Sequence, residues 1–332
     1  MPHYSPTGPL LVSKLASLVP RGSREKRNSM TEEENIQFTS SPILKSSIWF
    51  EDGNVVLFAT DTYFRVHRGM LSRHSSVLRN RFIIDSRRPY DGELVEGCPV
   101  VGLGESAQDV QFILSALYDY PCCTNIPQSL SFISALLMLG LKYDMPVLRS
   151  CGIACIEAEI PRDYNAWMKR RRYSRMSYYQ GCEFDTILIL LQNGLDEFVP
   201  YALYDCMAYQ PDIIKAGITQ DDGFISCLPL KFREQCLKGR EKIIEEQLRL
   251  SFSWLTEDSI MPYSSCLTLR DCKIGRRELY DEICMNDPVC LLGLDGWKDV
   301  WNNYLCIRCV RKARKVYAEG RRKIWESIPR LL

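Results

Sequence analysis

Two kinds of hydrophobic pattern run along the chain, and they change over near its middle. In the first half, short apolar runs alternate with polar turns. Ile48-Trp49-Phe50, Val55-Val56-Leu57-Phe58-Ala59 and Tyr63-Phe64-Arg65-Val66-His67 are separated by Glu51-Asp52-Gly53-Asn54 and Thr60-Asp61-Thr62. Their β-branched and aromatic bias predicts an entry strand followed by a β-hairpin. Leu71, Ser75, Leu78 and Phe82, spaced by four, three and four, predict a single helix over about Gly69 to Ile83. A strand is expected at Pro99–Leu103, after a polar loop. Ser106-Ala107-Gln108-Asp109 has the form of a capping box and opens a helix marked by Val110, Ile113, Leu114, Leu117 and Tyr118. Leu130, Ile133, Leu136, Leu137 and Leu141 predict another helix. Pro146 starts a third that carries Val147, Leu148, Cys151 and Cys155. Together these make one α+β unit over residues 46–158.

After Pro161 the pattern changes to interleaved cations and aromatics: Arg162, Lys169 to Arg172 and Arg175 among Tyr164, Trp167, Tyr173, Tyr178 and Tyr179. Residues 159–182 therefore read as a basic aromatic linker. Beyond them the spacing is helical over Phe184–Leu191, Leu195–Tyr209, Pro229 to about Leu255, and Leu305–Trp325, so residues 183–332 read as an all-α region. Residues 1–44 show no period, and such a segment buries too little to offset the entropy of ordering it. They are expected to form a disordered arm.

Length and charge sharpen this picture. The chain has 332 residues, which at roughly 150 per domain suggests two domains. Forty-two Lys and Arg against 41 Asp and Glu leave a net charge of +1, so bulk charge does not tie the molecule to nucleic acid or to a membrane surface. There is no run of 18 apolar residues, and the expectation is a soluble intracellular protein, cytoplasmic or nuclear, without a membrane span. Only His3, His67 and His74 offer imidazoles, and His67 stands between Arg65 and Arg68, poor company for a general base. Gly102-x-Gly104 lacks a third glycine and precedes Glu105, which would repel a pyrophosphate. No phosphate loop, nucleophile elbow or His-Glu-x-x-His helix is present. The expectation is a protein with no catalytic residues.

Cysteine is the residue type that carries chemistry. Fifteen are present, an odd number in a chain long enough to build a core, so most read as small buried apolar groups. Cys306-x-x-Cys309 stands apart, because two thiolates at that spacing can bind one zinc from a tight turn. A closed site needs two more ligands. Cys266 and Cys272 are the first choice and Cys284 and Cys290 the alternative, each pair with five intervening residues. Two buried thiols at a helix start are the competing reading. A redox pair is disfavoured, since no βαβ pattern surrounds the motif. The basic aromatic stretch and the tail from Asn303 to Leu332, with nine basic and two acidic residues, could track phosphates. A solvated surface and helix-dipole compensation are preferred, so nucleic acid is not an expected partner.

Four segments together resemble the BTB/POZ domain, in particular the BTB proteins of mushroom-forming fungi. Trp49 to Leu57 is similar to the family's opening strand, and Phe64 to Leu71 with Ser75-Ser76 to its second strand and following helix. Gly97 to Leu103, with Ser106, Asp109-Val110 and Ala116 to Asp119, resembles the next strand and helix. In the second half Pro200 to Asp205, Cys236 to Glu241, and Leu305 to Cys309 with Arg321, Ile324-Trp325 and Pro329 resemble the helical region that follows BTB in those proteins. Family members usually continue with a Phe-Gly-Leu-Pro run, which implies a chain extending past Leu332. The resemblance implies protein–protein interaction: a homodimer through the BTB domain and, in some branches, docking to a cullin scaffold of ubiquitin ligases as a substrate adaptor. Two departures weaken the cullin expectation. Leu78 stands where many members have Phe, and Ile83-Ile84-Asp85 replaces the apolar-x-Glu sequence of cullin adaptors.

Overall fold

The computed structural model describes residues 44–86, 92–119, 126–285 and 294–332. The expected N-terminal arm lies outside them except for Leu44. The chain divides into two compact units, the first running to Cys155 and including Arg175–Ser177, the second formed by Ile156–Ser174 and Tyr178–Leu332.

The first unit is a small five-stranded sheet with a cluster of helices. Its strands are β1 (Leu44–Trp49), β2 (Val55–Ala59), β3 (Thr62–Val66), β4 (Leu94–Val95) and β5 (Cys98–Leu103), in the order β1-β3-β2-β5-β4. The predicted hairpin is β2–β3, antiparallel with Val55 opposite Val66 and Ala59 opposite Thr62. Strand β5 runs parallel to β2. A parallel neighbour needs a crossover rather than a tight turn, and helices α1 (Arg68–His74) and α2 (Ser76–Ser86) lie in that crossover. Successive strand residues face opposite sides. Val55, Leu57, Phe64 and Val66 enter the main core with Val110, Ile113, Leu114, Leu117 and Leu136, while Val56, Tyr63 and Cys98 form a smaller cluster. The core helices are α3 (Ala107–Asp119), α4 (Leu130–Lys142) and α5 (Pro146–Glu159). Ser106 Oγ accepts the Asp109 N–H at 3.0 Å, the cap expected from the sequence.

The helix predicted over Gly69–Ile83 is two helices. Ser75, fully buried, has extended backbone (φ −131°, ψ 116°); its Oγ accepts the Leu78 N–H at 3.0 Å and donates to the Tyr143 carbonyl. A serine that caps the following helix ends the one before it. Leu71, Leu78 and Phe82 still reach the same core, so the apolar stripe is real although the helix is interrupted.

The second unit is mainly helical. It contains α6 (Tyr164–Lys169), α7 (Cys182–Gln192), α8 (Val199–Cys206), α9 (Pro211–Ala216), α10 (Leu230–Leu250), α11 (Ser253–Thr256), α12 (Leu269–Tyr280) and α13 (Ile307–Leu331). It is not all-α. A two-stranded hairpin pairs Ile218–Thr219 with Ile225–Ser226, turning at Asp221-Asp222-Gly223, where Gly223 takes φ +82°. Residues 159–174, expected as part of a linker, belong to this unit instead. Trp167 is buried with its ring 4.7 Å from that of Trp325, and Arg170 stacks on Trp167 while its guanidinium donates to both Asp205 oxygens at 2.8 and 2.6 Å. Bidentate pairing and ring stacking hold this cation inside, where solvation alone would have left it exposed.

Candidate metal centre

The site is assembled by two helix starts and the loop before one of them. Cys266 lies in the loop leading to α12, and Cys272 lies in the opening turns of that helix. Cys306 caps α13 with extended backbone, φ −65° and ψ 157°, and Cys309 is in its first turn. The two pairs are far apart in sequence and meet because α12 lies close to the turn before α13. An added Cβ on Gly275 would collide with the Tyr304 carbonyl, so only glycine permits this approach. One turn back along α12, Cys272 Sγ accepts the backbone N–H of Cys306 at 3.1 Å.

The four Sγ atoms of Cys266, Cys272, Cys306 and Cys309 all lie within 4.8 Å of one another. Cys266 Sγ and Cys306 Sγ are 3.8 Å apart, far beyond a disulfide, and all four cysteines are free. A tetrahedral zinc with Zn–S of about 2.3 Å requires S···S edges of about 3.8 Å. The donor set is therefore the right size and chemistry for a closed zinc site of four thiolates. Cys272 and Cys309 are buried and Cys266 and Cys306 half-buried, so two ligands face the core and two face outward. The core behind them is aromatic, with Trp254, Trp301 and Tyr317 packed around Cys272 and Cys309.

The surroundings suit thiolate. Besides the bond to Cys272, the Leu267 N–H donates to Cys306 Sγ at 3.5 Å, and Thr268 Oγ1 lies 3.4 Å from Cys272 Sγ. Such outer contacts orient metal-bound sulfurs and spread their charge. Both helices also present N-terminal ends to the cluster, where partial positive charge favours an anion. Burial disfavours the charged form of Cys306, but backbone N–H groups of Leu267 and Cys309 and the neighbouring thiols outweigh it and hold the thiol down to about 6. Burial pushes Cys266 and Cys309 up, so Cys306 ionises before either of them.

The first-choice ligand set from the sequence is thus the set brought together here. The alternative cannot be placed: Cys290 and the side chain of Cys284 lie outside the described residues. Sequence reasoning missed helix α12 and with it Gly275. The buried face of α12 is Cys272, Gly275 and Leu279, a stripe at helical spacing in which only one residue is conventionally apolar. The signal existed as a spacing of three and four. A hydrophobic count does not see it.

His67, disfavoured as a general base, has its ring 5.1 Å from that of Phe50, its Nδ1 3.1 Å from Tyr118 Oη and its Nε2 3.1 Å from Asp52. No described helix is long and apolar enough to cross a membrane. No protein-family model and no curated protein matches the chain.

Proposed function

We propose that the chain is a non-catalytic protein-interaction protein, with a BTB/POZ-type self-association module in the first unit and a helical, partner-binding second unit stapled by one structural zinc. The observation that carries the proposal is the convergence of four thiols from two sequence-distant pairs within 4.8 Å. A closed set of four thiolates leaves no open position for substrate, which suits a structural metal rather than a catalytic one. Cys266, Cys272, Cys306 and Cys309 would hold the ion, and its chemistry there would be to fix the start of α13 against the α12 loop. For the first unit, support comes from the order of elements, in which an entry strand and a hairpin are followed by two helices, the short strand β4, a strand parallel to the first hairpin strand, and three more helices. The four resembling sequence segments fall on those elements in the same order.

Elemental analysis of reduced full-length protein prepared without chelator tests the zinc. One equivalent per chain is expected, and less than about a tenth would end the reading. Light scattering on the same sample tests self-association: a dimer mass at micromolar concentration is expected, and a strict monomer overturns that half.

A second reading, docking to a cullin scaffold, draws on Val77, Leu141 and Val147, which are exposed where the start of α2 meets the α4–α5 turn through Ser76 Oγ and Asp144. Pull-down with the purified scaffold, lost in Val147→Glu, is its test. The nucleic-acid reading loses two of its cations. Arg170 pairs with Asp205 and Arg172 with Glu183, so neither is free to track phosphates.

A further inference from the structure

The loop and helix starts that gather the thiols also expose large aliphatic side chains. Leu267 is 56% exposed, Leu269 57% and Ile307 68%. They form one tip. The Leu267 N–H reaches Cys306 Sγ, the residue before Ile307, and Leu269 opens the helix that carries Cys272. Cations surround them. Arg308 donates to the Ser265 carbonyl at 3.1 Å, which places its guanidinium on the same loop, and Lys312 Nζ lies 5.9 Å from the Tyr263 ring.

The cations of this tip differ from those farther along α13. Arg314, Arg322 and Lys323 pair with Asp299, Glu326 and Glu319. Among the described residues, Arg270, Arg308, Arg311 and Lys312 form no ion pair with a carboxylate, whereas Lys273, with Arg276, acts on Asp258. Asp271 is the acid nearest in sequence, and it too is exposed. The tip therefore combines uncovered aliphatic area with uncompensated positive charge, to which the N-terminal ends of two helices of 12 and 25 residues add. Exposed aliphatics grouped within a polar rim mark an interaction site rather than ordinary surface.

We infer that this tip, built from Leu267, Leu269, Ile307, Arg270, Arg308 and Arg311, is a docking surface for an acidic peptide segment of a partner protein that carries aliphatic or aromatic anchors. The inference rests on the reading that the second unit presents a partner surface, and it names that surface and the chemistry of what binds. A nucleic acid would use the cations and leave the three aliphatics exposed. A membrane would call for a long amphipathic face with aromatic anchors, whereas these side chains sit on a tip tied by thiols. An acidic segment with apolar anchors uses both halves of the surface.

The test uses the full chain, reduced and zinc-replete, panned against a displayed random-peptide library. The expected enrichment is for peptides combining Asp or Glu with Leu, Ile or Phe. Their affinity, read by fluorescence anisotropy, should fall about tenfold or more in Arg308→Glu/Arg311→Glu and separately in Leu267→Ser/Ile307→Ser. All four side chains are at the surface and none is a thiol ligand, so zinc content should hold. If either double variant loses zinc, Arg311→Glu alone, which keeps the Arg308 bond to the Ser265 carbonyl, reads the same surface. A short DNA duplex and phosphatidylcholine–phosphatidylserine vesicles are the competing probes. No acidic-apolar enrichment, binding indifferent to both double variants, or duplex or vesicle binding lost in the arginine variant alone would each overturn the inference. Zinc measured on the same sample separates this failure from failure of the staple: metal present with no such peptide sinks the docking surface alone.

Discussion

Cys309 shows how much one side chain can control. A serine hydroxyl is a far poorer ligand than thiolate at neutral pH, so Cys309→Ser is expected to abolish stoichiometric zinc and to lower the melting temperature of the second unit. A packing thiol would cost only about 1 kcal/mol. Elemental analysis and a thermal melt of the same preparation separate the two. Gly275 acts on the same site without touching metal: Gly275→Ala forces a methyl into the Tyr304 carbonyl, and a loss of about 2 kcal/mol or more is expected, together with weakened zinc retention. Asp185 sets a pH dependence. It is 3% exposed, and burial pushes its carboxyl above the usual range despite hydroxyl hydrogen bonds from Tyr179 and Ser226 at 2.7 Å, while its Oδ1 has no partner among the described residues. The folded state then binds this proton more tightly than the unfolded chain does. Stability from this group is full below the ordinary carboxyl range and is lost as pH rises through the raised value, by up to about 1.4 kcal/mol per pH unit. Asp185→Asn should flatten that part of a melting-temperature profile, and an unchanged slope would assign it elsewhere.

At the scale of elements, periodicity identifies which residues are buried more reliably than it identifies where helices stop. Leu71, Leu78 and Phe82 were legible as core, but the break at Ser75 depends on Tyr143, 68 residues away, accepting its hydroxyl. Helix α12 was illegible because cysteine and glycine supply most of its buried stripe. The basic stretch 162–179 looked like solvated linker because two partners that bury it, Asp205 and Trp325, are distant in sequence. Helix α3 is the opposite case, with its cap, its stripe and its buried face all readable beforehand. It lies in the core of the first unit, so Leu114→Asp places an unpaired carboxylate at a fully buried position and costs several kcal/mol, enough to exhaust much of a domain's stability. Loss of the folded first unit by circular dichroism is expected. A folded, soluble monomer would mean that α3 serves an interface instead.

For the whole molecule, a zinc held by the thiol cluster would couple metal binding to the fold. Strong chelator should remove zinc and lower the helical signal, because the ion would tie α13 to a loop whose Cys266 lies forty residues before Cys306. Readdition of zinc under reducing conditions should restore the signal. A helical signal indifferent to chelator would show that the aromatic core around Trp254, Trp301 and Tyr317 holds this region by itself. The sequence by itself determined the hairpin, the helical stripes of the first unit, the change to a helical second half and the need for two more thiols beside Cys306 and Cys309, with Cys266 and Cys272 the first choice and Cys284 and Cys290 the alternative. These are matters of local period and of ligand number, which short stretches and the known chemistry of thiols dictate. Only the tertiary structure decided that the four sulfurs converge, that the cations at 170 and 172 are paired, and that one helix is two. Each of those depends on a contact between residues distant in the chain, such as Gly275 against Tyr304, whose distance no local pattern encodes.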